Sequence, residues 1–130
     1  LLVSPVSAVE LPRTEEEAYS RYISEKIRVY NIPENVFLAI VKYESRFNPN
    51  AINWNCWYGK KSMSCKKEDR HKAWSVDCGL LQINYRGKSC PKWYFDIDVN
   101  ISQGINLYLE RGFQPWNASK NGWGHLVLDV

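Results

Sequence analysis

The four cysteines of this chain constrain its fold more than any other feature, because all of them lie in one segment near its middle. They stand at Cys56, Cys65, Cys78 and Cys90, and none belongs to the C-x-x-C pair that is typical of zinc sites. An even number of cysteines without such a pair predicts two disulfides formed in an oxidising compartment. Three pairings are open, and the local ones, Cys56 with Cys65 and Cys78 with Cys90, are favoured because each would fix a loop that lacks regular structure.

The chain has the length of one compact domain. Its 130 residues include 45% hydrophobic ones, which is enough for a core. Its start, from Leu1 to Ala8, is too short to span a bilayer but resembles the end of a signal peptide with a small-x-small cleavage site. We therefore predict a flexible segment over residues 1–12, one folded domain over residues 13–130, no transmembrane segment, and a secreted, periplasmic or cell-envelope location.

Helical patterns flank the cysteine-rich segment on both sides. Thr14 and Glu17 form a capping box, and apolar residues follow at helical spacing. Pro33 suits the first turn of a second helix. The predicted helices run over about 15–30, from about 33 to a close at about 48–50, and from a cap at Asp98 or Asn100 to Gly112.

The segment between these helices has a different character. Residues 50–96 carry turn formers, charges and all four cysteines, and only a short apolar run at residues 79–83 interrupts them. This pattern predicts cross-linked loops with room for a small β element. The predicted fold class is mainly α within an α+β arrangement, a helical domain with a small, loop-rich, disulfide-linked lobe.

The charge pattern points away from nucleic acid. The net charge is only +3, and no recognition motif accompanies the cations concentrated in one segment. These are Lys60, Lys61, Lys66, Lys67, Arg70 and Lys72.

The chain is rich in aromatic residues. It has 6 tryptophans and 8 tyrosines, whose flat amphipathic rings suit either core packing or a carbohydrate cleft.

Glu44 is the first candidate for chemistry. It interrupts an apolar helical stretch that includes Phe37, Ile40 and Val41, so its carboxyl could lie at the edge of the core. Poor solvation disfavours a carboxylate and leaves a carboxylic acid that can donate a proton near neutral pH. A helical glutamate taken alone is more often a solvated surface residue, so its neighbours decide.

Three short motifs occur in order along the chain. Residues 43–48 read YESRFN, residues 75–84 read SVDCGLLQIN, and residues 112–116 read GFQPW. The first two resemble the Glu-Ser and Gly-Leu-Met-Gln motifs of soluble lytic transglycosylases, with Leu81 in place of the methionine. The second is equally similar to the Asp-x-Gly-x-Leu-Gln-Ile-Asn string of animal-type lysozymes, and the third to their Gly-x-x-x-Trp segment. The chain thus resembles the lysozyme-like superfamily over roughly residues 33–123.

The resemblance implies an α+β lysozyme-like fold with an active-site cleft beside the small lobe. It implies that Glu44 is the general acid and that Asp77 is the second carboxylate, a stabiliser or nucleophile, unless Asp77 is only a turn residue. It further implies substrate-binding roles for Ser45, Gln82, Asn84 and Trp116. Gly79 is expected to serve backbone shape, either as an ordinary turn residue or by letting the loop approach substrate closely.

The implied function is cleavage of the β-1,4 bond between N-acetylmuramic acid and N-acetylglucosamine by a monomer without a metal or another cofactor. The substrate would be peptidoglycan or a chitooligosaccharide. Hydrolysis is slightly preferred over formation of 1,6-anhydro-muramyl ends, because transglycosylases lack the second carboxylate and usually have Ala-Tyr-Asn where this chain has Trp116-Asn117-Ala118-Ser119. A glycan-binding module without catalysis is a further alternative, and the presence of both Glu44 and Asp77 argues against it.

Overall fold

The computed structural model describes residues 14–127, so the signal-peptide-like segment lies outside the described residues. The helices are α1 (Glu15–Arg28), α2 (Glu34–Ser45), α3 (Ile97–Arg111) and α4 (Lys120–Trp123), and the strands are β1 (Ile52–Tyr58), β2 (Lys61–Ser64), β3 (Ser75–Cys78) and β4 (Ile83–Tyr85). Short 3₁₀ helices cover Lys67–Lys72, Lys92–Phe95, Gln114–Ser119 and Gly124–Leu126. Helices together with a small sheet and two disulfides fit the predicted α+β arrangement. No described helix is long and apolar enough to cross a membrane.

The first two helices form where the sequence predicts them. The Thr14 hydroxyl accepts from the Glu17 N–H at 3.1 Å, which completes the N-cap of α1. Helix α2 ends at Ser45, a little earlier than predicted, because Arg46 and Phe47 adopt left-handed φ angles of 54° and 58°. The chain therefore turns sharply directly after the Glu44-Ser45 pair.

The core joins the helices to the small sheet. Phe37 and Ile40 of α2 and Ile101 of α3 are fully buried in it. The same cluster includes Leu80 and Leu81, which belong to the turn between β3 and β4 and are also fully buried. Burial of these two leucines anchors the turn to the helices by the hydrophobic effect.

The middle segment contains more regular structure than predicted. Its four strands form one antiparallel sheet in the order β2-β1-β3-β4. Strand β1 reads INWNCWY, and its asparagines resemble turn formers when taken one by one. In the sheet they lie on one face, where their side chains bond to one another and to β3, and this long-range pairing outweighs their low strand propensity.

Two disulfides reinforce this sheet. Cys56 of β1 is bonded to Cys65 just after β2, and Cys78 of β3 is bonded to Cys90 ahead of the next 3₁₀ helix. These are the local pairs favoured from the sequence. The second bond joins the end of β3 to the segment that leads into α3.

The predicted cap of α3 is wrong. Asp96, not Asp98 or Asn100, accepts from the Val99 N–H at 3.0 Å. Asp98 instead accepts from the Tyr22 hydroxyl at 2.7 Å and pairs with Lys26, so it connects α3 to α1. All three side chains can cap a helix, so local chemistry could not select among them.

Asn100 is buried and fully bonded. Its side-chain oxygen accepts from the Leu81 N–H at 2.9 Å, and its amide nitrogen donates to the carbonyls of Cys78 and Tyr94, each at 2.8 Å. Gly79 lies against this amide, with a φ of +73° and space so small that a Cβ would lie 2.3 Å from the Asn100 nitrogen. The missing side chain of Gly79 thus serves contact with Asn100 as well as a left-handed turn.

The segment after α3 consists of short helices, the 3₁₀ helices Gln114–Ser119 and Gly124–Leu126 and helix α4 between them. Gly112 ends α3 with a φ of 62°, as the predicted glycine cap requires, although its ψ of −139° lies outside the left-handed helical region. The short helices that follow bury Trp116 and Trp123.

Candidate active site

A cleft with a volume of about 470 Å³ lies where the sheet meets the helices. Its lining comes from α2, the β3–β4 region, α3 and the 3₁₀ helices directly before and after α3. Five of the six predicted site residues line it, namely Glu44, Asp77, Gln82, Asn84 and Trp116. Residues that are far apart in sequence are therefore brought together at one site.

Glu44 is half-buried near the end of α2. Burial raises the pKa of the Glu44 carboxyl above its ordinary value, a hydrogen bond from Ser119 offsets part of the rise, and the negative charge of Asp77 adds to it. Both effects that raise the pKa act by disfavouring the carboxylate. The arrangement makes Glu44 suitable as a proton donor.

The raised pKa makes the stability of the fold depend on pH. A carboxyl with a higher pKa in the folded than in the unfolded state binds more protons when folded, so the free energy of unfolding falls as the pH rises from the ordinary glutamate pKa to the raised value. Glutamine does not titrate. We expect the melting temperature of Glu44→Gln, relative to the original chain, to increase through this pH window and to level off above it. A difference that is the same at every pH would contradict the burial of this carboxyl.

Asp77 is held by three amide groups. One carboxylate oxygen accepts from the side-chain amides of Asn53 and Asn55, each at 3.1 Å, and the other accepts from Asn84 at 2.9 Å. The strand register places Asn53 and Asn84 directly opposite Asp77 on the two neighbouring strands. The result is a carboxyl of fixed orientation in the same cleft as Glu44.

The side chains of Gln82 and Asn84 both form hydrogen bonds within the protein. The Gln82 amide nitrogen donates to the carbonyls of Gly79 at 3.0 Å and Ala51 at 3.2 Å. The Asn84 amide donates to the Ser75 hydroxyl at 3.1 Å as well as to Asp77. Both side chains line the cleft, and both stabilise the backbone or carboxylate beside it.

The family model of the transglycosylase SLT domain matches residues 21–92, more than half of the 130 residues. The chain belongs to this family. Comparisons with curated proteins and with solved structures gave no match. Membership of the SLT family makes the chain a lysozyme-like protein with a peptidoglycan-directed function, a glycan substrate and action outside the cytoplasm.

The region that matches the SLT family contains Glu44, Asp77 and Gln82, whereas Trp116 lies beyond it. Trp116 is 3% exposed, contacts Phe37 edge to face and donates its indole N–H to the Leu81 carbonyl at 2.9 Å. It belongs to the core and also lines the cleft. Its indole therefore supplies an apolar, fixed part of the cleft wall.

Ser45 is not brought into the cleft. Its side chain is buried, and its hydroxyl donates to the Val41 carbonyl at 3.1 Å, one helical turn earlier. The structure thus gives this motif residue a partner inside α2, and its contact with substrate stays a prediction.

Ser119 is a site residue that the sequence analysis missed. Its hydroxyl accepts from the Trp123 indole at 3.0 Å and donates to the Trp116 carbonyl at 3.1 Å, and it lies close enough to Glu44 to lower the pKa of that carboxyl. A hydroxyl has one proton, so it donates to either the Trp116 carbonyl or the carboxylate of Glu44 at a given moment. The only available signal was its position three residues after Trp116.

Further residues line the cleft of the SLT domain, and the sequence assigned no role to them. These are Ile83, Tyr94, Gln103, Leu107, Arg111, Gln114, Pro115 and Ala118.

A second cavity, of about 760 Å³, adjoins the cleft at Gln114, and none of the described residues that line it carries a carboxylate. Within residues 14–127 no three His, Cys, Asp or Glu side chains form a group that could hold a metal ion.

Proposed function

We propose that this SLT domain is a muramidase that hydrolyses the β-1,4 bond between N-acetylmuramic acid and N-acetylglucosamine in peptidoglycan. The observation that carries this proposal is the pairing of two unlike carboxyl groups in one cleft. Glu44 is half-buried with a raised pKa, whereas three amides hold Asp77. Two carboxyl groups in different surroundings are what an acid and a stabilising anion require.

In the proposed reaction, Glu44 donates its proton to the glycosidic oxygen as the bond from that oxygen to the anomeric carbon breaks. Asp77 stabilises the positive charge that develops on the sugar, or its carboxylate bonds to the anomeric carbon and forms a covalent ester. Glu44, now a carboxylate, removes a proton from water, and the water oxygen bonds to the anomeric carbon; where an ester has formed, its bond to Asp77 breaks in this step and frees the carboxylate. The products are a strand with a reducing muramic acid end and a strand with a free hydroxyl on its N-acetylglucosamine, and both carboxyl groups return to their starting protonation states.

The surroundings of Glu44 support both of its roles. Trp116 lines the same cleft and excludes water from one side of it, which favours the protonated acid. The Ser119 hydroxyl can turn toward Glu44 once the carboxyl has lost its proton. Together they favour a group that alternates between acid and base.

Formation of 1,6-anhydro ends is the second candidate, and the description of the matched family favours it. In that reaction a hydroxyl of the substrate itself attacks the anomeric carbon, and no second carboxylate is needed. The product masses separate the two reactions, because an anhydro end is lighter than a reducing end by one water. We expect digestion of purified peptidoglycan to give reducing ends.

The Asp77→Asn variant tests the role of the second carboxyl. We expect it to lower the rate of hydrolysis by about 10²-fold, because the developing positive charge loses a preorganised negative partner. Asn84→Ala serves as a control that removes one amide donor and leaves the charge, and its loss should be smaller. Unchanged turnover in Asp77→Asn, together with anhydro products, would favour the transglycosylase.

The remaining features of the proposal concern the whole chain. We propose that the catalytic domain extends over residues 13–130 and works as a monomer without a cofactor. We propose a secreted, periplasmic or cell-envelope location, which the two disulfides support because such bonds persist in oxidising compartments.

A further inference from the structure

One face of the sheet continues from the cleft toward the tip of the β1–β2 hairpin. Side chains alternate between faces along a strand, so Asn53, Asn55 and Trp57 of β1 lie on the same face. Asn53 is opposite Asp77, whereas Trp57 is opposite Ser62 of β2. The face that holds the Asp77 carboxyl therefore extends outward to an indole.

Polar side chains fill the interval between the carboxyl and the indole. The Asn53 amide donates to Asn55 at 2.8 Å, the Asn55 amide donates to Ser75 at 3.0 Å, and the Ser64 hydroxyl donates to Asn53 at 2.7 Å. These bonds order the face from Asp77 toward the hairpin. Amides and hydroxyls are also the groups that best bind sugar hydroxyls, since they donate and accept.

Two tryptophans are stacked at the far end of this face. The Trp57 and Trp74 rings have centroids 5.3 Å apart and planes 21° from parallel. The Trp74 indole N–H donates to the Ser62 hydroxyl at 2.8 Å, which fixes the position of the Trp74 ring beneath Trp57. Trp57 is nevertheless 57% exposed, whereas the core residues Trp116 and Trp123 are 3% and 2% exposed. A large ring held in place with an open face has the form of a ligand contact.

The aromatic residues of β1 on the opposite face of the hairpin have partners in a 3₁₀ helix. The Arg70 guanidinium lies 4.2 Å from the centroid of the Trp54 ring, and the Tyr58 hydroxyl donates to Asp69 at 2.8 Å. Both partners belong to the 3₁₀ helix Lys67–Lys72. Trp57 is thus exposed on the cleft side, whereas the aromatic residues of β1 on the other face, Trp54 and Tyr58, have partners.

We propose that Trp57, supported by Trp74, is a stacking platform for a distal sugar ring of the glycan whose bond is cleaved in the cleft. This inference rests on the proposed function, because the occupant is the same glycan. Four residues of strand separate Trp57 from Asn53, which is about 13 Å. A ligand that reaches both the carboxyl groups and the indoles must contain several sugar residues, so the platform selects long strands over short fragments.

The test is the binding of chitooligosaccharides of increasing length, from trisaccharide to hexasaccharide, to the Glu44→Gln protein. We expect Glu44→Gln/Trp57→Ala to bind the hexasaccharide about tenfold more weakly, as loss of one aromatic contact implies, and to bind the trisaccharide equally well. Trp57→Phe keeps a flat ring and should retain most of the affinity for the hexasaccharide. Met63→Ala is the matched control, because Met63 is exposed on the same hairpin but on the opposite face.

Two outcomes would overturn the platform. One is equal binding of all lengths by the Trp57→Ala and Met63→Ala proteins, which would mean that the indole contacts no sugar. The other is an equal loss for every length, which would mean that Trp57 supports the fold and not a distal subsite. Product masses show separately whether Glu44→Gln still cleaves the oligosaccharides, so failure of the proposed catalysis is distinguishable from failure of the platform.

Discussion

Glu44→Gln is expected to slow glycan cleavage by about 10³-fold, the size of contribution that a positioned general acid makes. Glutamine preserves the shape of the side chain but has no proton to give to the leaving oxygen and cannot later remove one from water. The release of soluble fragments from purified peptidoglycan measures the rate. Binding of oligosaccharides should persist, because the rest of the cleft lining is unchanged.

Glu25→Gln provides the matched control for this experiment. Glu25 is an exposed glutamate on α1, and its replacement makes the same chemical change away from the cleft. It should leave the rate of cleavage at that of the original chain. Cleavage by a well-folded Glu44→Gln protein at the original rate would contradict the assignment of the acid and leave another cleft residue to supply the proton.

Asn100→Ala is expected to lower the free energy of unfolding by about 4 kcal/mol, because it leaves two buried backbone groups and one partly buried group without their partner. These groups are the Leu81 N–H and the carbonyls of Cys78 and Tyr94. Alanine also leaves a small cavity beside Gly79. Urea unfolding followed by far-ultraviolet circular dichroism measures the change.

The comparison for this variant is Asn35→Ala. Asn35 is exposed in the first turn of α2. The hydrogen bond found for its side chain is local, with the side-chain oxygen accepting from the Val36 N–H at 2.9 Å. Its replacement should cost less than about 1 kcal/mol. Similar losses for the two variants would show that the Asn100 amide does not hold the β3–β4 turn to α3.

The parts of the fold that local chemistry determines were predictable. A capping box starts α1 at Thr14, and Pro33 precedes α2, so both helices could be placed from a few neighbouring residues. The sheet was underestimated because its stability comes from pairing between residues that are distant in sequence, such as Asn53 with Asp77. The predicted N-cap of α3 was wrong for the same reason, because Asn100 has long-range partners that no local pattern reveals.

The candidate site shows a similar division. Ordered motifs brought Glu44, Asp77 and Gln82 to attention, and the structure gathers them in one cleft. The residues that adjust their environment were missed, because Asn55 and Ser119 belong to no motif and act only through tertiary contacts. Ser45 is the opposite case, a motif residue whose hydroxyl bonds within its own helix.

The buried leucines of the β3–β4 turn have a consequence for how a substrate enters. Leu80 and Leu81 lie in the helical core, between Asp77 and Gln82 in sequence. Moving the β3–β4 turn away from the helices would expose both side chains to water and break the hydrogen bonds of Asn100. We therefore expect the cleft to keep the same width when a glycan binds, without a movement of the sheet toward the helices.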